Sequence, residues 1–270
     1  MTKVHVLRTG YTLVSPAVPD RSCRKSSFAY TGLSEKRNER IKVPVKCFLL
    51  EINGRKVLVD TGWGKACIAH PISSIGFGLW FASEPVLSKE ETLGSWFARL
   101  HIRPCDLDAV VLTHMDVDHI SGLMDVADAQ HIYTTKDEWK HAQTCDVRYN
   151  RRLWKGLPIE FLSMSADAHA PFCKSCDLFG DGSIRVVFTP GHSAGSVAVV
   201  VYSGERFAVI AGDDGYNADS WDKLLLPGPM YNADDMLRSL QWVREMREAE
   251  NCVGVFAAHD PAVAPGEYTV

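Results

Sequence analysis

"VVLTHMDVDHISGL" (residues 110–123) places His114, Asp116, Asp118 and His119 within six positions, behind a β-branched apolar run and ahead of Gly122. The run reads as a strand and the segment after His119 as a helix, so the four polar residues sit on the turn between them. All four are ligands for first-row metals. Alternate residues at a strand end face one side, and the next turn brings round the other two. A solvated acidic turn is the bland alternative.

Other strand ends weaken that alternative. "TPGHSAGS" (189–196) puts His192 after a strand and a Pro-Gly turn, "VIAGDDG" (209–215) ends an apolar strand at Asp213, and "VFAAHD" (255–260) does the same for His259. One histidine at a strand end is ordinarily a hydrogen-bonded rim residue, but four such sites in one chain ask for a common cause. The remaining strands read as 43–52, 55–62, 107–114, 130–135, 184–190, 196–202 and 206–214, with Asn53-Gly54 as a hairpin turn between the first two. Helical patterns cover 88–100 and 233–250, where Met236, Leu237, Leu240, Trp242, Val243 and Met246 recur near helical spacing and should face the core. This is an α+β arrangement of mixed layers with partly antiparallel sheets.

The chain has 270 residues, long enough for a substantial core, and one domain spanning 1–270 is expected. A hydrophobic content of 46% with 23% charged residues is that of a globular protein, and the net charge of −4 provides no footprint for nucleic acid or an anionic membrane. No stretch reaches the roughly 18 apolar residues needed to span a bilayer, and the N-terminus lacks a signal-peptide core, so a cytoplasmic protein with reduced thiols is expected. "CKSC" (Cys173 and Cys176) has metal or redox spacing, but without a second pair it reads as a surface loop. Residues 15–42 are polar and basic towards "SEKRNER" and read as a surface loop or arm. Residues 68–87, "IAHPISSIGFGLWFASEPVL", read as an apolar loop that either packs on the core or walls a pocket.

Taken together, Asp60-Thr61-Gly62, "HMDVDH", Pro190-Gly191-His192, Asp213 and His259 resemble, in order, the signature of the metallo-β-lactamase superfamily. The resemblance covers nearly the whole chain. It implies a four-layer αββα sandwich with a dinuclear metal site at the sheet edge. By position, His114, Asp116 and His192 would hold one ion, Asp118, His119 and His259 the other, and Asp213 would bridge them. Asp60 would act behind the ligands as a hydrogen-bonding residue. Zinc is the expected metal. Asp116, however, stands where the family usually has a second histidine. The extra carboxylate makes the core neutral where the usual set leaves it positive, which favours harder ions such as iron or manganese. Flavodiiron-type members carry a glutamate at that position.

Within the superfamily the chain is similar to the N-acyl homoserine lactonases. "VPVKCFLLEINGRKVLVDTGWG" (43–64), "GDDGY" with Tyr216 three residues after Asp213, and the closing helix, strand and "AAHD" carry that likeness, although Ala258 replaces the usual glycine. It implies a hydrolase in which a metal-bridging hydroxide opens a lactone ring, Tyr216 hydrogen-bonds the substrate, Asp118 passes a proton to the leaving alkoxide, and Phe77, Trp80 and Phe81 receive an acyl chain. The implied partner is a small acyl lactone or similar ester, and a homodimer is compatible with the sequence. Three alternatives stay open: another ester, thioester or phosphodiester as substrate, iron-dependent redox chemistry at Asp116, and a non-catalytic ligand-binding relic. Glyoxalase II-like members carry a helical extension beyond the metal core, and the sequence ends eleven residues after His259, so that branch is not expected.

Overall fold

The computed structural model describes residues 2–23, 28–33, 35–144 and 147–270. In chain order the strands are β1 (Lys3–Val14), β2 (Ile41–Ile52), β3 (Arg55–Val59), β4 (Glu84–Val86), β5 (Ala109–Val111), β6 (Ile132–Thr134), β7 (Ile159–Phe161), β8 (Ser165–Ala166), β9 (Lys174–Asp177), β10 (Ile184–Phe188), β11 (Val197–Ser203), β12 (Arg206–Gly212), β13 (Cys252–Ala257) and β14 (Gly266–Thr269). The helices are α1 (Ala66–Ala69), α2 (Pro71–Ile75), α3 (Phe77–Ala82), α4 (Leu93–Leu100), α5 (Val117–Ile120), α6 (Lys136–Ala142), α7 (Ala218–Asp222) and α8 (Ala233–Glu248).

One sheet has the order β14-β1-β2-β3-β5-β6-β7, with β4 also on β1, and the other has the order β13-β12-β11-β10-β9-β8. Their facing sides make one apolar seam, in which Val6, Phe48 and Val59 of the first sheet share a buried cluster with Val186, Val199 and Ile210 of the second. On β2 the residues between these, Cys47 and Leu49, point the other way into a cluster with Leu93 and Phe97 of α4. A strand covered on both faces must be apolar at consecutive positions, which is why "CFLLEI" does not alternate. On the outer side of the second sheet, Val200 and Val209 pack against Met236, Leu240 and Val243 of α8. The layers are therefore helix, sheet, sheet, helix, as the resemblance implies. Asn232 caps α8 by accepting from the Asp234 and Asp235 backbone N–H groups, which explains where the helix begins. Of the six apolar positions expected on its inner face, Leu237 and Met246 are only partly buried.

Asn53 and Gly54 close the β2–β3 hairpin with φ of 52° and 78°, the pair of positive values a two-residue turn of this hand requires. β3, β5, β6 and β7 run parallel, β12 is parallel to β13, and β10 lies two antiparallel steps from β12. As a result β3 and β5 finish on the same edge of their sheet, and β10, β12 and β13 on the same edge of theirs.

Four expectations need correction. Residues 3–14, read only for their lack of an export signal, form the longest pairing of the first sheet with β2. The 68–87 stretch is not a loop: three short helices and β4 fill it. The 15–42 arm is not wholly on the surface, since Ala17, Val18 and Ala29 are buried, while its residues 24–27 and 34 lie outside the described residues. "CKSC" is not a surface loop: it runs into β9, with Cys173 exposed and Cys176 in the seam between the sheets. Both are free thiols, and Cys145 lies outside the described residues. Among the described residues no helix is long and apolar enough to cross a membrane.

Candidate metal centre

Every polar residue singled out in the sequence follows the C-terminal end of a strand or the turn beyond it. Asp60 ends β3, the His114–His119 stretch follows β5, His192 follows β10, Asp213 follows β12 and His259 follows β13. Two of the turns depend on glycine. Gly191 has φ 139°, and a Cβ on it would lie 2.3 Å from Met236 Cα, so the Pro-Gly turn lets His192 approach the start of α8. Gly212 has φ 55°, and a Cβ there would lie 2.9 Å from Thr113.

These turns bring seven side chains together. Three overlapping groups place one ligand atom per residue within 4.8 Å of one another: His114, Asp116 and His192; Asp118, His119 and His259; and His114, His119 and Asp213. Asp213 Oδ1 lies 3.2 Å from His119 Nε2 and 3.3 Å from His259 Nε2, and Asp213 Oδ2 lies 3.5 Å from His192 Nε2. Asp118 Oδ2 is 3.5 Å from His259 Nε2, and Asp116 Oδ2 is 3.2 Å from His192 Nε2.

Three of the four histidines are aimed from behind. His119 Nδ1 donates to Asp60 Oδ2 at 2.8 Å, His259 Nδ1 donates to the Pro44 carbonyl at 2.8 Å, and His114 Nδ1 donates to Thr113 Oγ1 at 3.0 Å. Each bond turns Nε2 towards the centre with its lone pair forward, the arrangement a metal-binding imidazole needs. Asp60 is fully buried in a left-handed conformation, φ 58°, and is held there by Thr113 N–H and Thr113 Oγ1, each donating at 2.8 Å. A strained residue kept in place by three donors fits the sequence reading that Asp60 orients ligands rather than being one. Asp213 Oδ1 and His114 Nε2 are buried, and neither has a partner in hydrogen-bond geometry. Unsatisfied buried acceptors facing one another are what a cation would satisfy.

The electrostatics agree. Burial opposes ionisation of Asp213, but His259 and His119 outweigh it and hold the carboxyl well below its usual range. The same contacts, with Asp60, hold His119 well above the usual imidazole range despite its burial, and Asp213 raises His259. His119 and His259 thus hold their protons more tightly than ordinary imidazoles, and metal binding must displace them.

The sequence reading missed two residues. Glu138 of α6 is fully buried and ties the two histidine loops together, accepting from Met115 N–H at 2.9 Å and Gly195 N–H at 3.1 Å. Arg148 donates from Nε to Asp116 Oδ1 at 3.1 Å and from Nη2 to Asp116 Oδ2 at 2.7 Å. Its Nη1 also donates to the His192 carbonyl at 2.6 Å, and Nη2 stands 2.8 Å from His192 Nε2. Burial opposes ionisation of Asp116, but the guanidinium outweighs it and holds the carboxyl well below its usual range. Burial, then Arg148, pushes the His192 imidazole down. Neither residue carries a local signal: "KDEWK" and "DVRYN" look like ordinary surface sequence.

A cavity of about 510 Å³ opens onto this centre. Asp116, Asp118, Arg148, Asp213, Tyr216 and His259 line its inner end, and Val18, Tyr30, Leu33, Phe77 and Phe81 line its walls. Tyr216 stacks on His259, with centroids 4.9 Å apart and planes 18° apart. Burial, then Asp213, pushes its phenol well above the usual range, so it stays a donor. Trp80, expected in the pocket with Phe77 and Phe81, keeps its ring 5.9 Å from that of Phe77 but does not line the cavity, packing instead against buried Trp63, Cys67, Ile75 and Val117. On one short helix its side chain falls on the inner face while Phe77 and Phe81, four residues apart, share the other.

The model of the metallo-beta-lactamase superfamily matches residues 40–255, which hold six of the seven converging side chains together with Asp60. The chain belongs to the metallo-β-lactamase superfamily. Among curated relatives, the N-acyl homoserine lactonase AttM of Rhizobium radiobacter is 28% identical over 227 residues, which span 82% of this chain and 83% of that one. A probable metallo-hydrolase of Mycobacterium tuberculosis is 29% identical over 223 residues, covering 79% and 70%. Among solved structures, an N-acyl homoserine lactone hydrolase with the product N-hexanoyl-L-homoserine at its catalytic metal centre superposes with a TM-score of 0.76 at 17% identity, covering 96% of this chain and 93% of that one. The dizinc quorum-quenching lactonase AidC superposes with a TM-score of 0.65 at 15% identity, covering 100% and 94%. At such identities these superpositions establish the metallo-β-lactamase fold.

Proposed function

We propose that the protein is a metal-dependent hydrolase that opens the lactone ring of N-acyl homoserine lactones. The observation that carries this reading is the cavity: its inner end is built from the candidate ligands and Tyr216, and its walls are aliphatic and aromatic. A substrate with a small polar ring and a flexible acyl tail matches both ends. The similarity to AttM supports the same substrate class.

Asp118, His119, Asp213 and His259 fit a divalent ion, with inward Nε2 atoms and carboxylates of the donor types zinc takes, and zinc is the metal we propose. A bound ion would supply Lewis acidity and lower the pKa of a coordinated water towards about 7. The chain's own groups do the rest. The Tyr216 hydroxyl donates to the oxygen on which negative charge develops, and stacking on His259 fixes its angle. Water adds to the ring carbonyl carbon and gives up a proton to Asp118, the ring C–O bond breaks, and Asp118 passes that proton to the departing alkoxide. The products are a carboxylic acid and an alcohol, with one proton released at neutral pH. Val18, Leu33, Phe77 and Phe81 hold the acyl tail and exclude water from the inner end. We also propose a cytoplasmic location.

The test is acid release in a pH-stat from short- and long-chain acyl homoserine lactones, using zinc-loaded protein and its His119→Ala variant. Ring opening that varies with chain length and disappears in the variant supports the reading. Metal-loaded protein that releases no acid from any lactone, but cleaves a thioester or phosphodiester, would overturn the substrate class while leaving the hydrolase.

A further inference from the structure

The two halves of the centre are not equivalent. The half built from Asp118, His119 and His259 has its histidines aimed inward from behind. The half built from His114, Asp116 and His192 already contains a cation, because the Arg148 guanidinium lies forked across both Asp116 oxygens at 3.1 and 2.7 Å. The same Nη2 stands 2.8 Å from His192 Nε2, the atom that would bind an ion, and the Nη1 bond to the His192 carbonyl fixes the fork in place. We propose that this chain binds one metal ion, in the Asp118–His119–Asp213–His259 half, and that Arg148 permanently fills the other half in place of a second ion.

Three observations carry this beyond the distances. First, the substitution is paired: a neutral histidine at 116 could bind metal but could not accept a bidentate guanidinium, whereas Asp116 accepts one through both of its oxygens. Second, the charges close. The three carboxylates Asp116, Asp118 and Asp213 are balanced by one divalent ion and one guanidinium with neutral water, while a second divalent ion beside Arg148 would leave the buried cluster with a net positive charge even when a hydroxide binds with it. Third, His192 is supported unlike the other three histidines. Its Nδ1 is buried with no hydrogen-bond partner, so nothing behind the ring presents Nε2 to a metal. His114, by contrast, also groups with His119 and Asp213, and its unpartnered Nε2 remains within reach of a single ion there. Arg148 lines the cavity beside Asp118 and Tyr216, so the guanidinium also faces the substrate, where a second ion would otherwise polarise the carbonyl.

The inference rests on the metal-centre part of the hydrolase reading and not on the lactone. The experiment is metal counting on the full chain, loaded with zinc or Mn(II) and freed of excess by gel filtration. Elemental analysis should give one ion per chain, and the Mn(II) form should show the six-line EPR spectrum of an isolated ion. The double variant Asp116→His/Arg148→Gln, checked for native circular dichroism, should take up two ions and show an exchange-coupled Mn(II) pair. Two ions with a coupled spectrum in the natural sequence would overturn the proposal. One ion in both proteins would also overturn it, since Arg148 would then not be what excludes the second. Lactone hydrolysis is scored separately, so a negative pH-stat result with one ion bound removes the substrate assignment and leaves this one standing.

Discussion

His119 and His192 are both buried imidazoles one loop beyond a strand end, each within 3.5 Å of Asp213, yet they are held in opposite ways. His119 has a carboxylate at its back, Asp60, and its Nε2 turned towards His259 and Asp213 in front. His192 has nothing at its back and a guanidinium in front. The comparison shows that ligand type and spacing do not define a metal site. What decides is which atom of the ring the neighbouring chain has already used.

The largest expected effect comes from breaking the supported half. His259→Ala should weaken zinc binding by at least about 10²-fold in a competing-chelator titration and abolish hydrolysis with it. His192→Ala should change zinc affinity by no more than about tenfold, because that ring belongs to the arginine half. Equal losses in the two variants would erase the asymmetry. Next comes Asp60→Asn, which leaves every inward ligand in place but removes the carboxylate behind His119 and should cost about 10–100-fold in metal affinity. Tyr216→Phe sharpens the picture at the substrate end. The turnover number should fall by about 10–100-fold with bound zinc unchanged, and an unchanged turnover would assign the tyrosine to packing alone.

The smallest effect compares two buried cations. Arg148 meets a carboxylate and is pushed up, whereas Lys46 meets the Asp260 carbonyl and burial pushes it down to about 8. Because the unfolded chain keeps the Lys46 proton to about 10.5, folding carries a desolvation cost below about pH 8 that disappears as the pH rises through that window. Lys46→Met should therefore gain about 2 kcal/mol in urea unfolding at pH 7 and lose that advantage by about pH 10.5. A constant difference across the range would show that the lysine is not the titrating group.

The strand ends were legible because their signals are local. An apolar run stopped by Asp60, His114, Asp213 or His259 is visible in a window of eight residues, and Asn53-Gly54 announces its hairpin in two. Residues 68–87 were only half legible. Their greasiness was plain, but with Gly76 and Gly78 and a proline breaking the periodicity, three helices of four to six residues leave no 3.6-residue pattern long enough to see. For the same reason Trp80 could not be separated from Phe77 and Phe81 until the helix gave each a face. Val18, Tyr30 and Leu33, in a segment read as a surface arm, reach the cavity because the chain folds back over the β1 end.

By itself the sequence determined the mixed α and β layering, the resemblance to the family that implies the order of those layers, and the seven candidate ligands, because these depend on residue type at fixed short spacings and on apolar runs that can be buried only as packed strands and helices. The tertiary structure alone decided how the ligands are shared out. Asp116 and Arg148 stand 32 positions apart, His119 and Asp60 59, and His259 and Pro44 215. No local pattern encodes such contacts: they arise where two sheets press their strand ends together, and there a single guanidinium makes two similar sets of ligands into unlike sites.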